Sequence, residues 1–206
     1  LTDHSVHHSK FHEDQPQSLR EKSLAMDKEQ AGLFAGFHAP DLYDPDRYGM
    51  EVISSIFGSS LDGRMFVKIR EEFGNAYTLG SGYSPSLDAG MIYFYILTTD
   101  AQVAKVKEIL LREIQNILDV PVAFGELAST KAKLKGDFAL ELNTIGQLAF
   151  ITALHELHGL GYNDYTTYAS KIDNVTDQDI QRIARKYLDP KRATIVVTRP
   201  VAKIKK

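Results

Sequence analysis

The chain has 206 residues, of which 43% are hydrophobic, and this is enough for one good-sized core or two small ones. The formal net charge is −3, with 24 basic and 27 acidic residues, so nothing in the composition indicates a nucleic-acid-binding surface. The sequence contains no cysteine, which excludes disulfides and thiolate metal sites but leaves the cellular compartment open.

No apolar run approaches the roughly 20 residues of a membrane span, and the longest, Met91 to Leu97, has the length of a strand. We therefore expect a soluble protein, cytoplasmic or periplasmic. The N-terminus lacks an initiating methionine and a signal-peptide core, so we expect the chain to begin inside a longer protein. Residues 1–16 are predicted to form a linker or disordered terminus, residues 17–200 a folded domain and residues 201–206 a tail.

Two strands and a helix are predicted in the first part of the chain. Ser18 to Met26 and Gln30 to His38 have strand patterns, and the short polar segment Asp27 to Glu29 between them favours a hairpin. Asp44-Pro45 places an N-cap residue before a proline in the first turn of a helix. The apolar stripe of this helix is Tyr48, Val52, Ile53, Ile56 and Phe57, and Gly58 ends it.

The rest of the chain is organised around the stretch from Gly58 to Tyr83. Its apolar residues at helical spacing are Met65, Phe66, Ile69 and Phe73, and Gly74 follows where a helix C-terminus favours a left-handed residue. The residues on one face of the next, alternating segment are Tyr77, Leu79, Ser81 and Tyr83. Arg70 therefore leaves the last turn of a helix and Tyr77 enters a strand, so a tight corner can bring these two side chains together.

The next segment, MIYFYIL at residues 91–97, is predicted as a strand because it is rich in aromatic and β-branched residues. Its near-continuous apolarity predicts a central position in the sheet, covered on both faces. Within it, Tyr93, Phe94 and Tyr95 are read as core residues rather than as a ligand platform. The capping-box pattern at Thr99 to Gln102 then starts a helix that Pro121 closes.

The last third of the chain is predicted to be mostly helical. Residues 126–158 form two helices, or one with a break near Asn143 to Gly146, and Gly159-Leu160-Gly161 forms a turn. A short helix at 165–171, a helix capped by Thr176 and a last strand at 193–198 complete the order. Such an order predicts an α+β fold, with an antiparallel or mixed sheet and helices packed mainly on one face.

Several of these segments resemble a known family. Residues 70–77, R-E-E-F-G-N-A-Y, resemble the Arg…Gly-x-x-Tyr segment in the second, non-zinc half of insulinase/pitrilysin-type zinc metallopeptidases. The preceding G-R-M-F-V-K-I-R-E is similar to the family's helix, although Leu61-Asp62 stands where many members have Met-Ser. D-P-D-R-Y-G-M-E-V-I at residues 44–53 and the closing V-T-D-Q-D segment are also similar, so the resemblance covers roughly Gln15 to Arg199.

The resemblance implies a two-layer α/β half-domain facing a chamber, within residues 17–200. It also implies that Arg70 and Tyr77 reach toward peptide substrate held at the zinc of another half, in cis or in trans. Tyrosine would donate to the developing oxyanion and arginine would hold a neighbouring carbonyl. From the residues alone, the favoured interpretation is that Arg70 is a solvated cation at a helix end and that the ring of Tyr77 packs on the sheet, and the resemblance reverses this preference. The glycine-rich segment containing Gly80 and Ser81 would let a peptide backbone approach the strand edge.

The family's zinc motif, H-x-x-E-H, is not found in this sequence. His155-Glu156-Leu157-His158 is one residue short of H-E-x-x-H and is interpreted as an ordinary helix end. The segment His4 to His8 has the spacing of the H-x-x-E-H motif, but a histidine stands in place of the glutamate. It is interpreted as a polar tail. The segment Gly58 to Arg64 lacks the Lys-Ser/Thr of a phosphate-binding loop. The chain alone is therefore predicted to be inactive, with zinc in the partner half.

The sequence leaves two functions open. In the first, the chain is the non-catalytic half of a zinc metalloendopeptidase and forms chamber wall and substrate-positioning groups. In the second, it is a structural or assembly domain of the same fold, as in family relatives that act as scaffolds in respiratory complexes. The presence of both Arg70 and Tyr77 favours the first. Exposed chamber-facing surface is also consistent with a homodimer.

Overall fold

The computed structural model describes residues 14–58, 63–73 and 78–201, apart from the side chains of Arg70, Glu72 and Phe73. The strands within these residues are β1 (Arg20–Met26), β2 (Ala31–Ala39), β3 (Leu79–Pro85), β4 (Gly90–Thr98) and β5 (Thr194–Pro200). The helices are α1 (Arg47–Gly58), α2 (Arg64–Phe73), α3 (Val103–Asp119), α4 (Phe124–Glu141), α5 (Ile145–Leu157), α6 (Tyr168–Asp173) and α7 (Asp177–Tyr187). Short 3₁₀ turns lie at Asp100–Gln102, Asp164–Thr167 and Pro190–Arg192.

The strands form one five-stranded sheet in the order β1-β5-β2-β4-β3. β1 runs parallel to β5, and the other three pairs are antiparallel. The predicted α+β class with a mixed sheet is therefore confirmed. The terminal segments predicted at 1–16 and 201–206 lie largely outside the described residues and stay predictions.

The predicted hairpin between the first two strands is wrong. β5, the last strand of the chain, lies between β1 and β2 and pairs with both of them. The backbone N–H of Val201, just beyond β5, donates to the carbonyl of Met26 at the end of β1 (3.0 Å). A short polar connection favours a hairpin locally, but it carries no information about a strand that arrives from more than 160 residues later.

The core lies between one face of the sheet and the helices α1, α2, α3 and α7. Side chains on this face of β2, β4 and β5 are fully buried or nearly so, namely Leu33, Ala35, Phe37, Ile92, Phe94, Ile96, Ile195 and Val197. The ring of Phe57 in α1 meets Phe94 edge to face, with centroids 5.0 Å apart. The apolar stripe predicted for α1 supplies this contact, and Val52, Ile53 and Ile56 are buried beside it.

None of the described helices covers the other face of the sheet, and side chains of β4 on that face are exposed, so the prediction that β4 is covered on both faces is wrong. β4 does lie between two strands, but its side chains alternate between buried and partly or fully exposed. Met91, Tyr95 and Leu97 point to the uncovered face and are each about 40% exposed. A continuous apolar run therefore shows that both faces of a strand are apolar, but it does not show that both faces are buried.

The helical last third of the chain matches its prediction in most respects. α4 and α5 are separate helices, and Gly159 and Gly161 in the following turn have φ values of 71° and 93°. Thr176 forms a reciprocal capping box with Asp179 at the start of α7. Thr99 differs from its prediction, because its hydroxyl contacts the Gln102 side chain rather than a backbone N–H of the helix.

Asp46, just before α1, joins this helix to α7 through two ion pairs. Arg182 Nη2 donates to Asp46 Oδ1 (2.8 Å) and Lys186 Nζ donates to Oδ2 (2.9 Å). Burial of Asp46 disfavours its charge, but the hydrogen bonds from Arg182 and Lys186 outweigh this and lower its pKa. The ionised carboxylate therefore stabilises the packing of α7 on α1.

We expect Asp46→Asn to lower the free energy of unfolding at pH 7 by about 1–2 kcal/mol, since both cations are half exposed and screened. Because the pKa is lowered in the folded state, this contribution is complete above the unfolded value of about 4 and is lost as pH falls below it. Urea unfolding of the wild type and the variant should show that their free energies of unfolding differ less at pH 3 than at pH 7. An equal difference at both pH values would contradict the ion-pair account.

Candidate functional site

The corner between α2 and β3 carries the residues that the sequence singled out. Arg70 lies in the last turn of α2, as predicted, but its side chain is outside the described part of the structure. Tyr77 is also outside the described residues. The contact between the Arg70 guanidinium and the Tyr77 phenol therefore stays a prediction. The structure describes the elements on either side of them, α2 and β3.

α2 is anchored by apolar and ionic contacts. Met65 and Ile69 of the predicted apolar face are buried in the core, whereas Phe66 is only half-buried and the side chain of Phe73 lies outside the described structure. At the start of the helix, the guanidinium of Arg64 forms a two-pronged ion pair with Glu126 of α4, with N–O distances of 2.6 and 2.7 Å. The hydrogen bonds that Arg64 donates to the Glu126 carboxylate raise the pKa of Arg64 despite its partial burial. Because two parallel hydrogen bonds join the guanidinium to the carboxylate, the pair fixes the orientation of the two side chains as well as the distance between them.

β3 is an edge strand, because within the described residues it pairs with β4 alone. The hydroxyl of Ser81 donates to the carbonyl oxygen of Ser54 in α1 (2.5 Å), so this side chain faces the helices. Gly80 faces the other way, and a Cβ there would lie only 2.6 Å from the Tyr95 hydroxyl. The aromatic ring thus occupies the space that a side chain would need, which is the physical reason for glycine at this position.

The uncovered face of the sheet, hereafter the open face, is a continuous apolar surface. Phe34 of β2 and Tyr93 of β4 stack there, with ring centroids 5.4 Å apart and an interplanar angle of 13°. Its other large members are Leu24, Met26, Met91, Tyr95, Leu97 and Val196. A groove of about 430 Å³ crosses one end of this face, over Gly36. An exposed apolar surface of this kind is typical of a site that contacts another protein, a membrane or a ligand.

α5 is a second apolar surface. Its sequence, IGQLAFITALHEL, has one charged residue, and within it only Ile151 is buried. Ile145 is 89% exposed and Leu157 81% exposed. A helix that is apolar on most sides is normally enclosed by protein. Sequence reasoning treated this segment only as a helix, although the shortage of charge within it was the signal that could have revealed a contact surface.

The two histidines predicted at the end of a helix lie at the end of α5. His155 Nδ1 is buried without a hydrogen-bond partner in the described structure, 3.6 Å from Asp164 Oδ2. Burial lowers the pKa of His155, although Asp164 opposes this, so the imidazole is neutral at neutral pH. No group of three His, Asp or Glu side chains that could hold a metal ion occurs within the described residues. The segment His4 to His8 lies outside them.

A separate cavity lies among α1, α5, α6 and the turn before α6. Its walls include Arg47 and Glu51 from α1, Tyr168 from α6 and Asp164 from the turn. No local motif in the sequence marks this group. Its two residues on α1 and its two residues near α6 are more than 100 residues apart along the chain.

Residues 5–134 match the family described as Peptidase M16 inactive domain. This match covers more than half of the chain, and the chain belongs to this family. The resemblance to the non-zinc half of zinc metallopeptidases is thereby confirmed.

An uncharacterized zinc protease of Streptomyces coelicolor is 25% identical over 169 residues, which cover 82% of this chain and 37% of that protein. The crystal structure of a peptidase M16 inactive domain from Pseudomonas fluorescens has a TM-score of 0.83 at 16% identity, covering 96% of this chain and 48% of that one. A chain of complex III2 from Candida albicans has a TM-score of 0.76 at 19% identity, covering 86% and 45%. The chain thus spans less than half the length of each of these proteins.

Among the described residues, no helix is both long and apolar enough to cross a membrane.

We expect Glu126→Gln to destabilise the protein by about 1–2 kcal/mol, since it leaves Arg64 without its charged partner in a partly buried position. Hydrogen exchange at the α2 amides should speed up correspondingly. Glu71→Gln is the matched control, because Glu71 pairs with Lys68 on the exposed side of the same helix. That change should stay within about 0.5 kcal/mol. Equal effects of the two substitutions would refute the anchoring role of the Arg64–Glu126 pair.

Proposed function

We propose that this chain is the non-catalytic half of a zinc-dependent metalloendopeptidase, which docks on a zinc-bearing half and forms part of the wall of the substrate chamber. The observation that carries the proposal is that two large apolar surfaces, the open face and α5, keep several large side chains exposed in the described part of the chain. A single chain that leaves both exposed is physically incomplete, because apolar surface of this extent is normally buried.

The length of the relatives supports a peptidase half as the partner. The Streptomyces coelicolor zinc protease is more than twice as long as the region that this chain matches. A second half-domain, in the same chain or in another, is therefore available in such proteins to cover the open face. In return, α5 would pack against that half.

Arg70 and Tyr77 would supply the substrate-positioning groups. Zinc-bound water attacks a peptide carbonyl, and negative charge develops on the carbonyl oxygen. A phenol can donate a hydrogen bond to that oxygen, and a guanidinium can hold an adjacent carbonyl. The anchoring of α2 through Arg64 and Glu126 supports this role, because a positioning group is useful only on a rigid element.

Gly80 and Ser81 would contribute backbone rather than side chains. The hydroxyl of Ser81 is engaged by Ser54, and β3 is an edge strand whose outer backbone groups have no strand partner among the described residues. A peptide in extended conformation can add to such an edge through backbone hydrogen bonds. Recognition would then depend on peptide conformation more than on peptide sequence.

The alternative is a structural or assembly domain with no part in proteolysis. The observation that favours it is the similarity of the fold to a chain of complex III2 from Candida albicans. Both functions need the open face to be covered, so docking alone does not distinguish them. The difference lies in whether Tyr77 affects the turnover of peptides by the assembled protein.

Docking is tested by co-expressing this chain with the zinc-bearing half from the same or a neighbouring gene and measuring complex formation by size-exclusion chromatography with light scattering. Tyr95→Glu on the open face and Phe150→Glu on α5 should each abolish the complex, because a charge would be buried in an apolar interface. Val120→Glu, in the exposed connection after α3, is the control and should leave it intact. A complex that survives both interface substitutions, or mere self-association of this chain, would overturn the proposed arrangement.

We expect Tyr77→Phe in the assembled peptidase to lower kcat by about 100-fold, which is typical for loss of one oxyanion donor, with a much smaller change in KM. Turnover of a quenched-fluorescent peptide, with and without a chelator, measures this. Tyr162→Phe, at an exposed tyrosine near the end of α5, should have wild-type kcat. If the chelator-sensitive activity of the Tyr77 variant equals that of the wild type, the positioning role is wrong and the assembly role is favoured.

A further inference from the structure

The cavity beside α1 has a volume of about 270 Å³ and lies on the helical side of the sheet, away from the open face. This volume is near the lower limit of about 300 Å³ for small-ligand pockets and far above the roughly 30 Å³ that one water molecule occupies. The cavity is therefore large enough for a small organic group.

Aromatic rings form much of the cavity wall. Phe138 of α4 and Tyr168 of α6 stack with centroids 4.1 Å apart, and Tyr48 of α1 meets Tyr168 at 6.3 Å. Tyr83 adds a fourth ring, held in place because its hydroxyl donates to the carbonyl of Pro40 (2.8 Å). The faces of such rings carry partial negative charge and attract cations, although Phe138 and Tyr168 cover one face of each other and Arg47 already lies over the ring of Tyr48.

The charged groups of the cavity are mainly acidic. Carboxylates of Glu51, Glu141 and Asp164 line it, whereas Arg47 supplies one guanidinium. His155 is the remaining titratable nitrogen and is neutral because burial lowers its pKa. Carboxylates therefore outnumber the charged cations in the wall, and the excess favours a positively charged ligand.

Arg47 is engaged by groups of the wall itself. Its guanidinium donates to the carbonyl of Leu42 (2.5 Å), to the hydroxyl of Tyr48 and to Asp164 Oδ2 (3.2 Å). It also lies over the Tyr48 ring, 4.5 Å from the centroid. These contacts neutralise Asp164, whereas they leave Glu51 and Glu141 without an ion pair to Arg47.

Glu51 is the deepest of the acidic groups. Tyr168 donates to its Oε1 at 2.5 Å, and no other hydrogen bond to its carboxylate occurs among the described residues. Burial raises the pKa of Glu51, and the nearby negative charge of Glu141 adds to this, while Tyr168 and Arg47 oppose it. A carboxylate in this position is destabilised by burial, and a bound cation would relieve that cost.

We propose that this cavity binds a primary alkylammonium group, as found on a lysine side chain or at the amino terminus of a peptide. Glu51 and Glu141 receive the ammonium hydrogens, and the rings of Phe138 and Tyr168 contact its carbon chain. The site does not depend on the peptidase assignment, because it is built from α1, α4 and α6 rather than from the corner that carries Arg70 and Tyr77.

The test uses three small probes and the full chain. Nα-acetyl-lysine methylamide carries the side-chain ammonium, alaninamide carries the α-ammonium, and Nα-acetyl-norleucine methylamide is a neutral analogue of the first. NMR or calorimetric titration should give a Kd of about 1–10 mM for one or both amines. The stronger of the two amines identifies the source of the group. The neutral analogue should bind at least about tenfold more weakly, since it lacks the charge.

Variants of the two carboxylates localise the binding. Glu51→Gln should weaken the better amine by at least about tenfold, and Glu141→Gln by a smaller factor, because Glu51 is more deeply buried. Glu108→Gln, on the exposed side of α3, is the control and should bind as the wild type does. Thermal unfolding confirms that each variant is folded, and should Glu51→Gln fail to fold, Glu141→Gln carries the test.

Affinity should also rise with pH as Glu51 ionises, because the cation binds the charged carboxylate and the pKa of this group is raised in the free protein. Equal binding of the neutral analogue, no binding of either amine, or unchanged affinity in both carboxylate variants would each overturn the proposal. None of these outcomes bears on Tyr77→Phe turnover, so failure of this site is separable from failure of the proposed function.

Discussion

The structure depends on one constraint: a single sheet with two apolar faces, of which the described helices cover only one. β2, β4 and β5 direct large side chains to both sides, and α1, α2, α3 and α7 bury one set of them. The remaining face and the apolar helix α5 stay largely exposed in the described part of the chain, and the proposed function assigns their burial to another protein surface. The membership in the Peptidase M16 inactive domain family is consistent with this, since the chain matches less than half of its relatives' length.

The packing on the buried face of the sheet explains how the corner between α2 and β3, which carries Arg70 and Tyr77, could be held in place. α1 packs on the sheet through Phe57, and Gly58 lets β3 pass close by, because a Cβ there would lie 2.8 Å from the backbone nitrogen of Ser81. α2 is then fixed by its buried residues and by the pair of Arg64 with Glu126. The helix and the strand on either side of this corner are therefore both fixed by packing. A shift of either element would displace the side chains that the corner carries.

The molecule exposes two kinds of surface with different chemistry. The open face and α5 are broad, apolar and weakly charged, as expected of a permanent contact between domains. The cavity beside α1 is small, aromatic and acidic, as expected of a site for a cationic group. The open face and the cavity lie on opposite sides of the sheet, so covering the open face does not require covering the cavity, whereas α5 borders the cavity through His155. No group of three side chains that could hold a metal ion occurs among the described residues, and the roles proposed for this chain are assembly and recognition.

The sequence by itself determined the elements with strong local signals. The stripe of α1, the separation of α4 from α5 and the capping box at Thr176 follow from interactions within a few residues. The resemblance of residues 70–77 and their neighbours also determined the family. Only the tertiary structure decided that β5 inserts between β1 and β2, that one face of β4 is open, and that Glu51 meets Tyr168. These features join segments far apart in the chain, and local patterns of polarity and spacing do not encode which distant surfaces meet.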